Sequence, residues 1–187
     1  MRIFFDTLGC AKNLVDTSKM EKCLTDAGIH ITKDASRADV IVLNTCAFIE
    51  PATQESIDTF FEYHNTYEDT PIIVTGCLVS RFGKDLKKAL PEADGYLSCD
   101  EEDKIVKLVK SFIIDSEPVK SKPRTEKSAF SYVKISEGCN RKCSYCTIPY
   151  IRGKYKSSGF EEILNDVSDV VNKGAKEIVL VAQDCGV

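Results

Sequence analysis

Cys139, Cys143 and Cys146 fall within eight residues, in the run Ser136-Glu137-Gly138-Cys139-Asn140-Arg141-Lys142-Cys143-Ser144-Tyr145-Cys146, and no fourth cysteine or histidine stands near enough in sequence to complete the set. A structural zinc site is closed by four ligands, commonly as two separated pairs. A self-contained ferredoxin site also supplies four thiolates to its cluster. Three thiolates leave one iron of a four-iron cluster open, and an open iron can hold a small molecule. The spacing favours such a cluster; a zinc knuckle or reduced structural thiols are the alternatives.

The elements around these residues must do the positioning. Short β-branched runs at 3–5, 40–43 and 72–74 read as buried parallel strands, with weaker strands at 29–32 and 96–97. Between them, residues 16–27, 53–63, 80–90 and 102–113 have helical spacing. Strand and helix in alternation predict a three-layer α/β domain with a parallel sheet over residues 1–115. Residues 116–129 turn to Pro, Ser, Lys and Glu without apolar period and read as a linker of solvated charge. From residue 130 a strand at 132–135, a helix at 160–171 and a strand at 177–181 read as the start of a β/α barrel. That series stops after about one and a half units, too few to close a barrel or bury both sheet faces. Residues 130–187 are therefore expected to be incomplete or to lean on the first domain.

Cys10, Cys46 and Cys77 each follow a predicted strand. Loops at the carboxyl ends of parallel strands gather on one edge, where such folds bind ligands, so three thiolates from three loops can meet there. Gly9 and Gly76 allow close backbone approach beside two of them. Each cysteine taken alone reads equally as a small buried hydrophobe. Cys99 follows a strand too, Cys23 lies on the apolar face of the first helix and reads as core, and His30 and His64 have no ligand spacing.

The C-x3-C-x2-C spacing with Tyr145 before its last cysteine resembles the signature of radical S-adenosylmethionine (SAM) enzymes. Thr7-Leu8-Gly9-Cys10-Ala11-Lys12-Asn13, Asn44-Thr45-Cys46-Ala47-Phe48-Ile49-Glu50-Pro51, Thr75-Gly76-Cys77, Ile148-Pro149 and Arg152-Gly153 resemble the methylthiotransferases within them. Leu8, Ala11-Lys12 and Ala182-Gln183-Asp184 look most like the branch that modifies an aspartate of small-subunit ribosomal protein twelve. The resemblance runs along the whole chain. It implies that Cys139, Cys143 and Cys146 hold a SAM-binding 4Fe-4S cluster and that Cys10, Cys46 and Cys77 hold an auxiliary one. It also implies that Tyr145, Arg152, Gln183 and Asp184 lie near SAM, Tyr145 beside the adenine unless it is a core aromatic.

By that resemblance the protein is a transferase in which SAM cleavage gives a deoxyadenosyl radical, the auxiliary cluster carries the inserted sulfur and a second SAM gives the methyl group. The β-carbon of the aspartate is the target, and a donor such as flavodoxin or ferredoxin supplies electrons. Within the family the alternative is a tRNA enzyme acting on a prenylated adenosine, the one reading that involves nucleic acid. Outside it, the alternative is an iron–sulfur module without catalysis. The resemblance also implies the rest of a barrel and a C-terminal TRAM barrel, neither of which is in these 187 residues, so this chain is expected not to complete the reaction alone. Cys185 departs from the pattern, which has a hydroxyl residue there.

Composition fits a protein with a core and no membrane partner: 43% hydrophobic and 29% charged residues, with the longest apolar run, 40–49, broken by Asn44 and Thr45. No secretory signal opens the chain, so nine cysteines are expected to be reduced, metal-directed thiols in the cytoplasm. Residues 1–115 carry 13 basic and 20 acidic side chains, net minus 7, and residues 116–187 carry 12 and 9, net plus 3. An acidic first domain does not favour a polyanionic partner, and most of these charges read as solvated faces. Arg141 and Lys142 are accordingly expected to be exposed loop cations, with balancing of cluster or carboxylate charge as the alternative.

Overall fold

The computed structural model describes residues 1–112 and 129–186, and the predicted linker lies almost wholly outside them. The chain divides into two compact units, Met1–Lys122 and Pro123–Val187.

The first unit is a parallel sheet of five strands: β1 (Arg2–Thr7), β2 (His30–Thr32), β3 (Val40–Thr45), β4 (Ile72–Gly76) and β5 (Gly95–Leu97), in the order β2-β1-β3-β4-β5. Every residue of β3 and β4 is buried, as a strand covered on both faces requires. Alternate residues point to opposite faces. On one face Ile3, Val40, Val42, Ile73 and Leu97 pack with Met20 and Leu24 of α1 (Ala11–Asp26) and Ile105 and Val109 of α4 (Ile105–Lys110). On the other, the ring of Phe4 meets Tyr63 of α2 (Glu50–Thr66) at 5.9 Å, and Tyr96 takes Lys87 of α3 (Cys77–Ala89) over its ring at 5.3 Å. The predicted three-layer architecture is thus the observed one.

Element boundaries differ where the cysteines stand. α1 starts at Ala11 and α3 at Cys77, ahead of the expected starts at 16 and 80, and α3 breaks at Gly83. The helix expected at 102–113 is a 3-10 turn, Glu102–Lys104, followed by α4, with residue 113 outside the described residues. Among the described residues no helix is long and apolar enough to cross a membrane.

In the second unit β6 (Phe130–Lys134) and β9 (Glu177–Val181) pair in parallel, with α6 (Phe160–Asn172) between them in sequence. A two-residue antiparallel ladder not foreseen from the sequence, β7 (Ser136–Glu137) with β8 (Lys156–Ser157), cinches the base of the cysteine loop. A short helix, α5 (Ile148–Ile151), sits within that loop. No residue of α6 is buried, and Phe160, Leu180 and Phe130 are exposed.

Candidate functional site

The strand order of the first unit reverses between β1 and β3, and an open α/β sheet offers its ligand crevice at the carboxyl ends of the strands on either side of such a switch. Cys10 and Cys46 follow those two strands, and Cys77 follows β4. Thr45 and Gly76 are register partners on neighbouring strands, so Cys46 and Cys77 leave the sheet at one level. Both are buried, whereas Cys10 is exposed as the N-terminal cap of α1. Gly9 and Gly76 have φ of +89° and +92°, and a Cβ at Gly9 would stand 2.5 Å from Cys46 Cβ, so the close approach expected there is real. The amino ends of α1 and α3 both open on this edge, and their partial positive charge favours anionic ligands.

One buried side chain joins the three loops. Asn13 Nδ2 donates to the carbonyls of Leu8, at 2.7 Å, and Thr45, at 3.0 Å, while its Oδ1 accepts from Cys77 Sγ at 3.8 Å. Asn44, beside it, donates from Nδ2 to the carbonyl of Asn13 and to Thr17 Oγ1, each at 2.9 Å. Ser56 Oγ accepts from the Cys46 amide at 3.1 Å and donates to the Cys46 carbonyl at 2.8 Å, fixing that cysteine's backbone from α2.

In the second unit Cys139 is buried, Cys146 half-buried and Cys143 exposed. The Cys139 amide donates to the Gly153 carbonyl at 3.1 Å, and a Cβ at Gly138 would meet that carbonyl oxygen at 2.5 Å, so the loop is drawn against its own return strand. The Arg141 amide donates to Cys139 Sγ at 3.4 Å, and the Cys146 amide to the Cys143 carbonyl at 3.1 Å. Asp184 Oδ2 lies 3.9 Å from Cys139 Sγ and pairs with Arg141. Arg141 is thus exposed, as expected, and also balances a carboxylate, the alternative reading; its guanidinium holds the Asp184 carboxyl below the usual range, helped by the Gly186 amide.

Glu137, which sequence reasoning passed over, organises the remaining predicted residues. Its Oε2 pairs with Lys134 Nζ at 2.8 Å and lies 3.6 Å from Arg152 Nη1, while Oε1 accepts from Gln183 Nε2 at 3.0 Å. Lys134 and Arg152 are both buried, so two cations face one carboxylate beside the cysteine loop. Among the described residues Tyr145 is 85% exposed. Cys99 is half-buried, its amide donating to Ser80 Oγ at 2.8 Å, and Cys23 packs against the core as expected.

Among the described residues no three His, Cys, Asp or Glu side chains converge as ligands of a single metal ion. A polynuclear cluster asks for something else, since each thiolate takes its own iron and the sulfurs stand apart. Three cysteines on one strand edge and three in one loop, all nine cysteines being free, form soft thiolate donor sets that fit iron–sulfur clusters.

The profile of the Uncharacterized protein family UPF0004 matches residues 2–98, and that of the Radical SAM superfamily matches residues 133–185. Among curated relatives, the ribosomal protein uS12 methylthiotransferase RimO of Thermodesulfovibrio yellowstonii is 42% identical over 180 residues, covering 95% of this chain and 42% of that protein. RimO of Aquifex aeolicus is 41% identical over 98% of this chain and 41% of its own length. The chain therefore spans about two-fifths of the length of the curated relatives it matches. The radical SAM methyltransferase TsrM from Kitasatospora setae, solved with cobalamin and a [4Fe-4S] cluster bound, superposes with a TM-score of 0.62 at 10% identity, covering 98% of this chain and 48% of that one. At that identity the likeness speaks of fold alone.

Proposed function

This chain belongs to the UPF0004 family, and from that premise we propose that it is part of a radical SAM methylthiotransferase acting on the β-carbon of an aspartate in ribosomal protein uS12. What carries the reading is the pairing of two separate three-cysteine sets, one on each unit, with relatives of that name matching across both. Residues 1–115 are the auxiliary-cluster domain, with Cys10, Cys46 and Cys77 as ligands. Residues 130–187 begin the radical SAM core, with Cys139, Cys143 and Cys146 as ligands, and 116–129 link the two. When bound, the two 4Fe-4S clusters and SAM supply the radical and sulfur chemistry.

The chain's own residues bind and orient. The Arg141 amide donates to the Cys139 sulfur, the kind of contact that tunes a cluster's potential. Glu137 fixes Arg152 and Gln183, which with Asp184 line the SAM side of the loop, and exposed Tyr145 is free to close on the adenine. The cell compartment is the cytoplasm and the reductant a flavodoxin- or ferredoxin-like protein.

Anaerobic reconstitution tests the reading. About eight irons per chain are expected, halved when Cys139, Cys143 and Cys146 are changed together to Ala. Adding SAM to the reduced protein should alter the electron paramagnetic resonance spectrum of the cluster lost in that variant. Unchanged iron content in the triple variant, or a spectrum indifferent to SAM, would sink the assignment. An assay of the reduced protein, extended through the sequence its relatives carry, would find methylthiolated aspartate in uS12; a modified prenylated adenosine in tRNA instead would move the substrate to the other branch.

A further inference from the structure

Asn13 is wholly buried, and its amide reaches all three cysteine-bearing loops. Nδ2 donates to Leu8, two residues before Cys10, and to Thr45, directly before Cys46, while Oδ1 accepts from the Cys77 thiol itself. Its backbone amide donates to the Cys10 carbonyl at 2.9 Å. Two carbonyl acceptors require the amide nitrogen on their side, so the orientation of the group is settled by its surroundings. Asn44 braces it from behind through the Asn13 carbonyl. The Asn44 Oδ1 atom is itself buried without a hydrogen-bond partner and lies where a side chain at Gly76 would fall, so the packing between the loops has no slack.

We propose that Asn13 is the positioning residue of the strand-edge cysteine set: its Nδ2 ties the loops of Cys10 and Cys46 together in the arrangement that receives a cluster, and its Oδ1 orients the Cys77 thiol until that thiol gives up its proton to bind iron. The inference rests on the function proposed above, and extends it to a residue that is not a ligand. The chemistry of the contact favours this role over simple packing. An apolar side chain of equal size would fill the space but leave the Leu8 and Thr45 carbonyls without their donor, and Asp would face them with a carboxylate. Groups that orient metal ligands without touching metal typically govern affinity by roughly tenfold or more.

The test uses the full chain carrying Cys139, Cys143 and Cys146 as Ala, so that all bound iron reports on the strand edge. Asn13→Ala and Asn13→Asp are compared with that parent, and with Phe60→Leu, which weakens the core at a fully buried position on α2. Thermal melting of the apoprotein measures folding, and the rate of iron loss to a chelator measures the site. Both Asn13 variants should release iron about tenfold faster than the parent. Phe60→Leu, at equal loss of melting temperature, should stay within about twofold of the parent, because its change acts on the fold and not on the loops.

Release at the parental rate from either Asn13 variant, or equal acceleration in Phe60→Leu, overturns the proposal. A parent that takes up no iron overturns the cluster reading and the proposal with it. Should neither Asn13 variant fold, the unmutated side chain decides: the Asn13 Nδ2 resonances in 15N-asparagine-labelled protein should exchange slowly without iron and shift on iron loading. Resonances that exchange fast or ignore the iron would remove Asn13 from the role.

Discussion

Arg141 Nε lies 2.5 Å from Asp184 Oδ2, and that same oxygen stands 3.9 Å from Cys139 Sγ. An ion pair across 43 residues therefore ties the cysteine loop to the segment following β9. Its Arg is largely exposed and its Asp is not, so its worth is expected in the placement of the loop more than in global stability. Asp184→Asn and Arg141→Gln should each leave the melting temperature of the chain nearly unchanged. Iron held by Cys139, Cys143 and Cys146 should be released several-fold faster, on the scale of about tenfold that groups behind metal ligands command. Chelator-competition kinetics read this directly, and release unchanged from the parent would assign the pair to the surface.

Glu137 faces Lys134 and Arg152, both buried, and removing its charge takes a carboxylate away from two desolvated cations. Glu137→Gln should destabilise the second unit by about 2 kcal/mol, less than a fully buried pair because the carboxylate keeps some water contact. Pairing it with Lys134→Met should recover part of that loss. Denaturant titration of both variants measures the coupling, and strictly additive effects would show that the two groups do not act together.

At Gly9 the backbone has φ of +89° and Cys46 crowds the place of a side chain. Gly9→Ala forces both a left-handed alanine and a displacement of Cys46, for a loss of about 2 kcal/mol or more. Iron at the strand edge should fall before the fold does. Reconstituted iron in the Cys139, Cys143, Cys146 triple-Ala background tests it, with full occupancy as the contrary outcome.

The architecture was legible because its strands are apolar runs of β-branched residues such as Val40, Ile41 and Val42, whose period and length leave little choice. The starts of α1 and α3 were not. In α1 Lys12, Asn13, Asp16 and Thr17 are polar yet buried, so a search for an apolar stripe passes over its first turns, and in α3 Cys77, Leu78 and Val79 prolong the apolar run of β4 and hide the boundary. The six proposed ligands were visible as cysteines after strands and as a spaced triad. What holds them was not, because an amide reaching three loops, or a carboxylate gathering Lys134, Arg152 and Gln183, is a relation across sequence distance that no local pattern encodes.

Ser98 and Glu101 close a turn in which Glu101 Oε2 accepts from the Ser98 amide at 3.2 Å and from Ser98 Oγ at 2.9 Å, with Lys104 Nζ on the other oxygen at 2.7 Å. The bond from Lys104, followed by those from Ser98, pulls the Glu101 carboxyl down from 4.5 to about 2. A carboxyl whose folded-state pKa is depressed contributes stability that is present above its unfolded value and disappears as pH falls through the folded one. Glu101→Gln should therefore be less stable than the parent at pH 7, and the gap should narrow as pH falls from about 4.5 towards 2. The turn also carries Cys99 and leads into α4, so the loss should appear as earlier proteolysis near that helix. Urea titrations of parent and variant across that pH range provide the measurement. A stability difference that stays constant from pH 7 down to the acid limit would mean that the Glu101 charge contributes nothing and the turn is held by its backbone alone.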